Sequence, residues 1–345
     1  MLNVGVIGCG KISQVRHLPE YAANPEVKIS ALFDLNAERA QTLALQYGAK
    51  TYAAYGDLLN DPGIDAVSVC TSNDSHADIT CAALAAGKHV LCEKPMATTL
   101  KDCERMVEAA RANGKILMID QNQRLAGAHV KARELIQTGG IGKPLTFRTS
   151  FRHAGPETWS IEPGAGTWFF DRKRAVMGAM ADLGIHKTDL IQYLLGQTVV
   201  ETRATLTTLD KRLADGSLIG VDDNAICIYT MSDGAVGTMS ASWTDYGAED
   251  NSTVIYGTKG VLRIYDSREH TLVLELKGGK VEFFDVDEIQ TNEKQTRSGV
   301  IDLFVQAVTD PAVEGISGAS VLPAMRAVFA SIESSDTGKA VRIDR

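Results

Sequence analysis

The stretch MLNVGVIGCGKIS (residues 1–13) places a short apolar run directly before a glycine-rich turn and the start of a helix. Gly8, Gly10 and Ser13 follow the pattern G-x-G-x-x-G, with a small residue in the third position. The first glycine permits a tight turn, the second lets a pyrophosphate approach the backbone, and the third residue allows close helix–strand packing. The segment therefore predicts a dinucleotide site at the positive end of the helix.

Outward from this turn, residues 2 to 118 alternate apolar β-branched runs with helical patterns, which is typical of a parallel sheet with helices on both faces. The predicted strands are Asn3–Ile7, Lys28–Phe33, Ala66–Cys70, His89–Cys92 and Lys115–Ile119. The predicted helices are Ile12–Tyr21, Ala37–Tyr47, Ser75–Ala85 and Leu100–Ala112. These repeats predict an α/β fold, with a doubly wound Rossmann domain over residues 1–122.

The pattern changes near Asn122–Arg124, where we place the domain boundary. The later predicted strands are Leu145–Phe151, Val199–Leu209, Ala225–Tyr229, Val236–Trp243, Asn251–Tyr256, Gly260–Tyr265, Thr271–Glu275 and Val281–Val286. The later predicted helices are Val130–Gln137, Ala181–Leu195, Val300–Thr309 and Ser320–Ser334. Turns rich in Gly, Asp and Ser favour hairpins. We therefore predict a second, α+β domain over residues 123–345 with a large, open, mostly antiparallel sheet; its C-terminal helices could pack on either domain.

The composition is that of an ordinary folded chain, with 44% hydrophobic and 23% charged residues among 345. The formal net charge of −8 argues against nucleic acid as a partner, because phosphate-binding proteins gather Lys and Arg into a basic stripe. No apolar run approaches the roughly 20 residues that cross a bilayer, and no export signal is visible. None of the six cysteines forms a C-x-x-C pair, so we expect reduced thiols, no bound metal and a cytoplasmic location.

Asp34 follows the second predicted strand, at the edge of the sheet where the ribose of a dinucleotide lies. A carboxylate there accepts hydrogen bonds from the ribose hydroxyls and repels a 2′-phosphate. Leu35 and Asn36 follow, with no Arg directly after the acid, so NAD is favoured over NADP as the cofactor. Alternatively, Asp34 caps the next helix, a role that Asn36 could also fill.

The segment TSNDSH (residues 71–76) follows another strand, at the edge where doubly wound sheets bind ligands. We expect Thr71, Asn73 and His76 to line the cofactor. Two alternatives stay open here: Ser75 is a helix cap, and His76 has a surface or capping role.

Glu93, Lys94 and Pro95 follow the strand His89–Cys92, so the Lys94 amine is expected to face the nicotinamide. Pro95 restricts the backbone at this point, and a cis bond before it is one option. Alternatively, Lys94 is a solvated side chain paired with Glu93.

Asp182, His186 and Asp189 stand at i, i+4 and i+7 of a predicted helix and should project from one face. A carboxylate one turn from an imidazole fixes the tautomer and raises the basicity of the ring, as a general base requires. The alternative is a buried polar network. Gly178 and Gly184 are expected to leave room for a ligand beside this helix.

Oxidation of a carbinol carbon needs a base for the hydroxyl proton and a positive group near the developing alkoxide. His186 and Lys94 meet these two needs, and a bound NAD accepts the hydride. The residues thus fit a single reaction.

The chain resembles the Gfo/Idh/MocA oxidoreductases, which include glucose–fructose oxidoreductase and inositol dehydrogenase, over nearly its whole length. The motifs that carry the resemblance are GVIGCGKIS, Asp34, TSNDSH, Glu93-Lys94-Pro95 and the D-x-x-x-H of Asp182 and His186. It implies a Rossmann domain joined to an open-sheet domain, with Lys94, Asp182 and His186 as the catalytic residues. We assign the cofactor contacts to Gly8, Gly10, Lys11, Ile12, Asp34, Thr71, Asn73, His76, Glu93 and Lys94.

The resemblance also implies that Asn122, Arg124, Trp168 and Asp189 come near the substrate, beside Lys94, Asp182 and His186. It further implies a homodimer or homotetramer that associates through the open sheet. One departure is Ser72, where the family more often has Pro after Thr, and this residue could alter the loop over the nicotinamide.

The predicted pocket is polar, with Arg152 and His153 as further members and Trp168 able to stack on a pyranose ring. We therefore expect a sugar, sugar derivative or inositol as substrate. Arg124, Arg152 and Arg172 could instead bind an anionic group. Besides a simple dehydrogenase, two functions stay open: a glycosidase or internal oxidoreductase that retains its cofactor, and a non-catalytic regulator that senses sugar and NAD.

Overall fold

A computed structural model describes residues 1–286 and 297–344 of the chain. These residues fall into two units. The first contains Met1–Asn122 and residues 297–322, and the second contains residues 123–286 and 323–344.

The first unit is built on a parallel sheet of six strands. They are β1 (Leu2–Ile7), β2 (Val27–Phe33), β3 (Lys50–Thr51), β4 (Ala66–Val69), β5 (His89–Cys92) and β6 (Leu117–Ile119). The order β3-β2-β1-β4-β5-β6 reverses direction between β1 and β4, which confirms the doubly wound sheet and puts its switch point beside the glycine turn. Successive residues such as Ala66 and Val67, or Val90 and Leu91, are buried because both faces are covered.

Helices connect these strands, and two of them begin at a side chain that caps their free N–H groups. The helices are a π-helical turn (Ser13–His17), α1 (Leu18–Ala23), α2 (Ala37–Tyr47), α3 (Tyr55–Asn60), α4 (His76–Ala85) and α5 (Leu100–Asn113). The Asn36 side chain accepts from Arg39 N at the start of α2, and Thr99 accepts from Asp102 N at the start of α5. The predicted helix Ile12–Tyr21 is thus divided into a π-helical and an α-helical part.

The second unit is built on a mixed sheet of nine strands. They are β7 (Pro144–Arg152), β8 (Val199–Thr207), β9 (Asn224–Met231), β10 (Val236–Ser242), β11 (Thr253–Gly257), β12 (Gly260–Ile264), β13 (Leu272–Leu276), β14 (Val281–Phe284) and β15 (Val341–Arg342). The order is β14-β13-β12-β11-β7-β10-β9-β8-β15, and every neighbouring pair is antiparallel except β7 and β10. The predicted mostly antiparallel sheet is therefore confirmed.

Helices cover one face of this second sheet. They are α6 (Gly127–Gln137), α7 (Arg172–Ala175), a π-helical turn (Met180–Gly184) and α8 (Ile185–Leu195), which ends at Gly196 with φ of 63°. The π-helical turn contacts β7, β9 and β10, and α8 contacts β7. On the other face, Ile226 pairs across strands with Ser240 and Ile228 with Thr238, and both isoleucines are exposed.

Two helices close the chain, α9 (Val300–Thr309) and α10 (Gly318–Thr337). α9 belongs to the first unit, where Asn24 Nδ2 donates to Asp302 Oδ1 at 2.7 Å. α10 is divided between the units at Leu322, and its later part bonds to β8, where Ala204 N donates to Ser334 Oγ at 3.0 Å. Among the described residues, no helix combines the length and the apolar character needed to span a membrane.

Candidate active site

The glycine turn after β1 has the shape that a dinucleotide requires. Gly8 has φ of 95°, and a Cβ there would lie 2.5 Å from Cys70 O, so the turn needs glycine. A Cβ on Gly10 would meet no atom within 4 Å, which leaves open space beside the backbone. Ser13 is fully buried and its Oγ donates to Gly10 O at 3.1 Å. This open space beside Gly10 fits the pyrophosphate of NAD.

Asp34 holds the glycine turn through its carboxylate. Its Oδ2 accepts from Cys9 N at 2.7 Å and its Oδ1 accepts from Asn36 N at 2.7 Å. The helix cap is Asn36, not Asp34. Arg39 Nη1 lies 3.5 Å from Asp34 Oδ1, so an Arg does stand beside the acid although none follows it directly in sequence. Arg39 lies five residues after Asp34, in the first turn of α2, so the residues adjacent to Asp34 in sequence do not indicate it.

We expect Asp34→Asn to lower kcat/KM with NAD about 10- to 100-fold, because one charged hydrogen-bond acceptor for the ribose is lost. The preference for NAD over NADP should fall by a similar factor, because Arg39 then has no competing carboxylate and can pair with a 2′-phosphate. Steady-state kinetics with both cofactors measure the change. In the double variant with Arg39→Ala, the gain with NADP should disappear; a gain that survives would exclude this role for Arg39.

The loop after β4 is held by His76, which is 1% exposed. His76 Nδ1 lies 2.8 Å from Pro95 O, and Nε2 lies 3.2 Å from Thr71 O. Burial lowers the pKa of His76, while the contacts with the Pro95 and Thr71 carbonyls oppose that shift. Both ring nitrogens contact backbone carbonyls, so the ring joins the loops that contain Thr71 and Pro95. The assignment of His76 to the cofactor lining stays a prediction. Asn73 is also buried in this loop.

Glu93 and Lys94 do not form the solvated pair that was the alternative interpretation. Glu93 is buried, and its Oε2 accepts from the backbone N of Lys94 at 3.1 Å, while Lys94 itself is half-buried. The Lys94–Pro95 peptide is cis. The other oxygen, Oε1, lies 3.0 Å from His17 Nε2. Glu93 therefore connects the turn that contains Lys94 to the core of the first unit.

The core around Glu93 contains a cluster that was not anticipated from the sequence. Arg16 Nη1 donates to Asp120 Oδ2 at 3.0 Å, and His17 Nε2 lies 3.6 Å from the same oxygen. His17, Glu93 and Asp120 offer ligand atoms within 4.8 Å of one another, as in a metal site. Because the Arg16 guanidinium already supplies a positive charge there, we assign these residues to an ion-pair cluster.

In the second unit, the predicted helix Ala181–Leu195 is divided into a π-helical turn and α8. Asp182 belongs to that turn and His186 to α8, and both are buried. Asp182 Oδ2 accepts from Trp243 Nε1 at 3.0 Å and lies 3.8 Å from His153 Nε2. His153 Nδ1 accepts from Gly155 N at 2.9 Å, so a neutral His153 carries its proton on Nε2, toward Asp182. Trp243 and His153 are therefore partners of Asp182.

The other predicted substrate residues of this unit already have partners. Asp189 is joined to Arg124 by two hydrogen bonds of 2.7 and 2.5 Å, and Arg152 Nε lies 3.3 Å from Asp245 Oδ2. Trp168 stacks on Phe169 with ring centroids 4.0 Å apart, and the Arg174 guanidinium lies 5.9 Å from its ring centre. One face of Trp168 is therefore covered by Phe169, and Arg124 and Arg152 are each paired with a carboxylate. Their roles toward a substrate stay predictions.

Gly178 and Gly184 do not leave room for a ligand, contrary to expectation. A Cβ on Gly178 would lie 1.8 Å from Asp222 O, and a Cβ on Gly184 would lie 2.5 Å from Met180 Sδ and 3.3 Å from Met239 Cε. Asp222 also fixes the turn through its carboxylate, which accepts from Gly178 N and Met180 N. The space is filled by protein that supports Asp182.

Gly178→Ala is expected to destabilise the protein by about 3 kcal/mol and to remove most activity, because backbone near Asp222 must move and the turn with Asp182 moves with it. Gly184→Ala is the matched control, since its two closest contacts are with the flexible side chains of Met180 and Met239, its contact with Ala241 Cβ at 3.6 Å is ordinary, and it should cost about 1 kcal/mol. Urea unfolding and initial rates measure both variants. Equal stability of the two would contradict the close approach at Gly178.

Comparison with known proteins places these features in context. Residues 2–121 match the model of an oxidoreductase family with an NAD-binding Rossmann fold, and residues 129–263 match the GFO/IDH/MocA C-terminal domain. Myo-inositol 2-dehydrogenase of Thermotoga maritima is 28% identical over 352 residues, with 98% of each chain covered. The 1,5-anhydro-D-fructose reductase of Ensifer adhaerens is 33% identical over 236 residues, which cover 68% of this chain and 67% of that protein.

Levoglucosan dehydrogenase is similar in both sequence and structure. The enzyme of Pseudarthrobacter phenanthrenivorans is 29% identical over 300 residues, which cover 79% of this chain and 76% of that protein. A solved structure of levoglucosan dehydrogenase in complex with NADH is 26% identical and superposes with a TM-score of 0.85, covering 100% of this chain and 99% of the other.

Proposed function

Because the chain belongs to the Gfo/Idh/MocA family of NAD-binding oxidoreductases, we propose that it moves a hydride between NAD and a hydroxyl-bearing carbon of a sugar, sugar derivative or inositol. The observation that carries this proposed function is the buried carboxylate of Asp182, which lies four residues before the buried His186. Trp243 Nε1 donates a hydrogen bond to this carboxylate. Such a pair suits removal of a proton from a hydroxyl group. The names of the relatives, which act on inositol, levoglucosan and anhydrofructose, support the substrate class.

In this proposal the chain contributes three groups to the reaction. The His186 imidazole takes the hydroxyl proton, Asp182 stabilises the resulting positive charge, and the Lys94 ammonium donates a hydrogen bond to the substrate oxygen. NAD, when bound, supplies the acceptor for the hydride. Asn122 remains a candidate substrate contact. The residues proposed to hold NAD are Gly8, Gly10, Lys11, Ile12, Asp34, Thr71, Asn73, Glu93 and Lys94.

We further propose a homodimer or homotetramer that forms through the open face of the second sheet. Three apolar side chains are exposed on that face: Ile226 at 59%, Ile228 at 47% and Val236 at 41%. Neighbouring exposed apolar side chains of this kind are typical of a protein–protein interface. Light scattering measures the assembly. We also propose a cytoplasmic location, which is supported by six free thiols. Burial raises the pKa of Cys9 and Cys103 to about 12, so these thiols are unreactive.

A screen for NAD reduction tests the proposal. The pure protein is incubated with NAD and with inositols, hexoses, uronic acids or simple glycosides, and absorbance of NADH is followed. We expect turnover with at least one neutral polyhydroxylated compound. Reduction of NAD by uronic acids alone would instead favour an anionic substrate.

Two further outcomes would replace the dehydrogenase by the alternative functions. Protein that is purified with a bound NADH absorbance band and cleaves glycosides without net NAD reduction is a retained-cofactor enzyme. Protein whose melting temperature rises with sugar, but which turns over none of them, is a sensing regulator.

A further inference from the structure

The four ionisable side chains that meet in the core of the first unit are two carboxylates, Glu93 and Asp120, and two cationic types, Arg16 and His17. All four are at most 4% exposed. Burying a charge costs hydration free energy, which only close partners of opposite charge compensate. A buried ion-pair cluster therefore adds little to stability, which points to another role. Its nearest link to the proposed chemistry is Glu93, which bonds to Lys94.

We propose that His17 and Arg16 are positioning residues, which act through Glu93 to hold Lys94 and thereby couple the glycine turn to the catalytic lysine. The inference rests on the proposed function, because it takes Lys94 to be the group that contacts substrate. It assigns to His17 and Arg16 a role that sequence motifs do not indicate.

The mechanical path is short and continuous. His17 ends the π-helical turn that directly follows the glycine turn. Since a carboxylate can only accept, His17 Nε2 donates to Glu93 Oε1 at 3.0 Å, and Glu93 Oε2 in turn accepts from Lys94 N at 3.1 Å. On its other side, His17 Nδ1 lies 3.1 Å from Ser68 Oγ on β4. Two hydrogen bonds therefore join the π-helical turn, which directly follows the glycine turn, to the backbone of Lys94.

Of the two carboxyl groups in the cluster, electrostatic interactions favour the ionised form of Glu93 more strongly than that of Asp120. Burial by itself raises the pKa of Glu93, but the hydrogen bond and charge of His17, followed by the charge of Arg16, hold that pKa well below its usual range. Arg16 Nη1 lies 3.8 Å from Glu93 Oε1. Burial raises the pKa of Asp120 to about 6, so Asp120 is the carboxyl closer to protonation. A negative charge is therefore maintained next to the Lys94 ammonium.

Two variants of His17 separate this link from simple packing. In His17→Asn the amide lies near the place of Nδ1, so the contact with Ser68 is kept and that with Glu93 is lost. In His17→Gln the amide reaches the place of Nε2, so the contact with Glu93 is kept and that with Ser68 is lost. The readouts are acylation of Lys94 by an amine-reactive ester, followed by mass spectrometry of its peptide with and without NAD, together with Kd for NAD and kcat and KM.

We expect His17→Asn to speed acylation of Lys94 about tenfold and to lower kcat about tenfold, with KM and the Kd for NAD unchanged. His17→Gln should stay within about twofold of the parent in both, because its donor to Glu93 remains. Lys101, which is exposed, and Lys187, which is fully buried, serve as internal standards for acylation. Unchanged Lys94 acylation in a folded His17→Asn protein, or equal effects of the two variants, would overturn the proposal.

Glu93→Gln provides a second test if His17→Asn fails to fold, because the amide keeps the shape of the side chain, removes its charge and replaces one of its two acceptor oxygens by a donor. Faster acylation of Lys94 is expected, and an unchanged rate would overturn the proposal. Acylation and NAD binding need no substrate. A parent protein that oxidises nothing in the screen would therefore count against the proposed function, whereas the Lys94 readout would still decide the role of His17.

Discussion

Replacing Lys94 or His186 by alanine is expected to lower kcat about 10²- to 10⁴-fold in each case, while the Kd for NAD stays nearly unchanged. Lys94 provides the proposed positive charge and His186 the proposed base, so each loss removes stabilisation that exists only in the transition state. Most of the proposed contacts to the nucleotide lie elsewhere, at the glycine turn and Asp34, so the loss of Lys94 alone should change the Kd little. Initial rates of NADH formation and calorimetric titration with NAD measure the two quantities.

Matched controls exist on the surface of each unit. Lys101→Ala removes an exposed lysine of α5, and His270→Ala removes a half-buried histidine in the loop before β13. Both controls should retain the parent rate. If Lys94→Ala and His186→Ala also oxidised the substrate at the parent rate, the catalytic assignment would be wrong.

Gly10→Ala is expected to weaken NAD binding about 100-fold or more, which is about 2.7 kcal/mol, without lowering the melting temperature of the protein. The added methyl group meets no protein atom within 4 Å, so folding is not opposed. It occupies the space through which the pyrophosphate approaches the backbone. Thermal unfolding without cofactor, and titration with NAD, test the two parts separately.

Gly8→Ala supplies the contrast within the same turn. Its φ of 95° is unfavourable for a residue with a Cβ, and that Cβ would lie 2.5 Å from Cys70 O and 2.9 Å from Thr71 N. We expect a loss of about 3 kcal/mol or more in folding stability, with loss of NAD binding as a consequence. Normal NAD affinity in Gly10→Ala, or normal stability in Gly8→Ala, would contradict the geometry of the turn.

Local signals suffice to predict most of the fold. The apolar runs before Gly8 and Asp34, the capping Asn36 and the alternating strands of the second sheet all reflect interactions within a few residues. The elements that escape prediction are those without a local pattern. β3 has only two residues, α3 has six, and each π-helical turn adds a residue that shifts the helix face without changing the composition.

The candidate site is less predictable because its partners are distant in sequence. Trp243 reaches Asp182 across 61 residues, and Arg16 reaches Asp120 across 104. Neither pair has a sequence spacing that belongs to a known motif. His76 shows the reverse difficulty: its position in a loop motif suggested ligand contact, whereas packing turns both ring nitrogens toward carbonyls. Residue type and position indicate the chemistry, but tertiary contacts decide which atoms are available.

The first unit is discontinuous in sequence, since residues 297–322 complete it only after eight of the nine strands of the second sheet, β7 to β14, have been encoded. On the ribosome, residues 1–122 therefore emerge without α9 and without the strand-edge bridge between Met118 and Ser317. At about 5–20 residues per second, the nascent nucleotide-binding core waits roughly 10 to 40 s for these segments. During synthesis the uncovered apolar surface of that core is expected to be a client for chaperones.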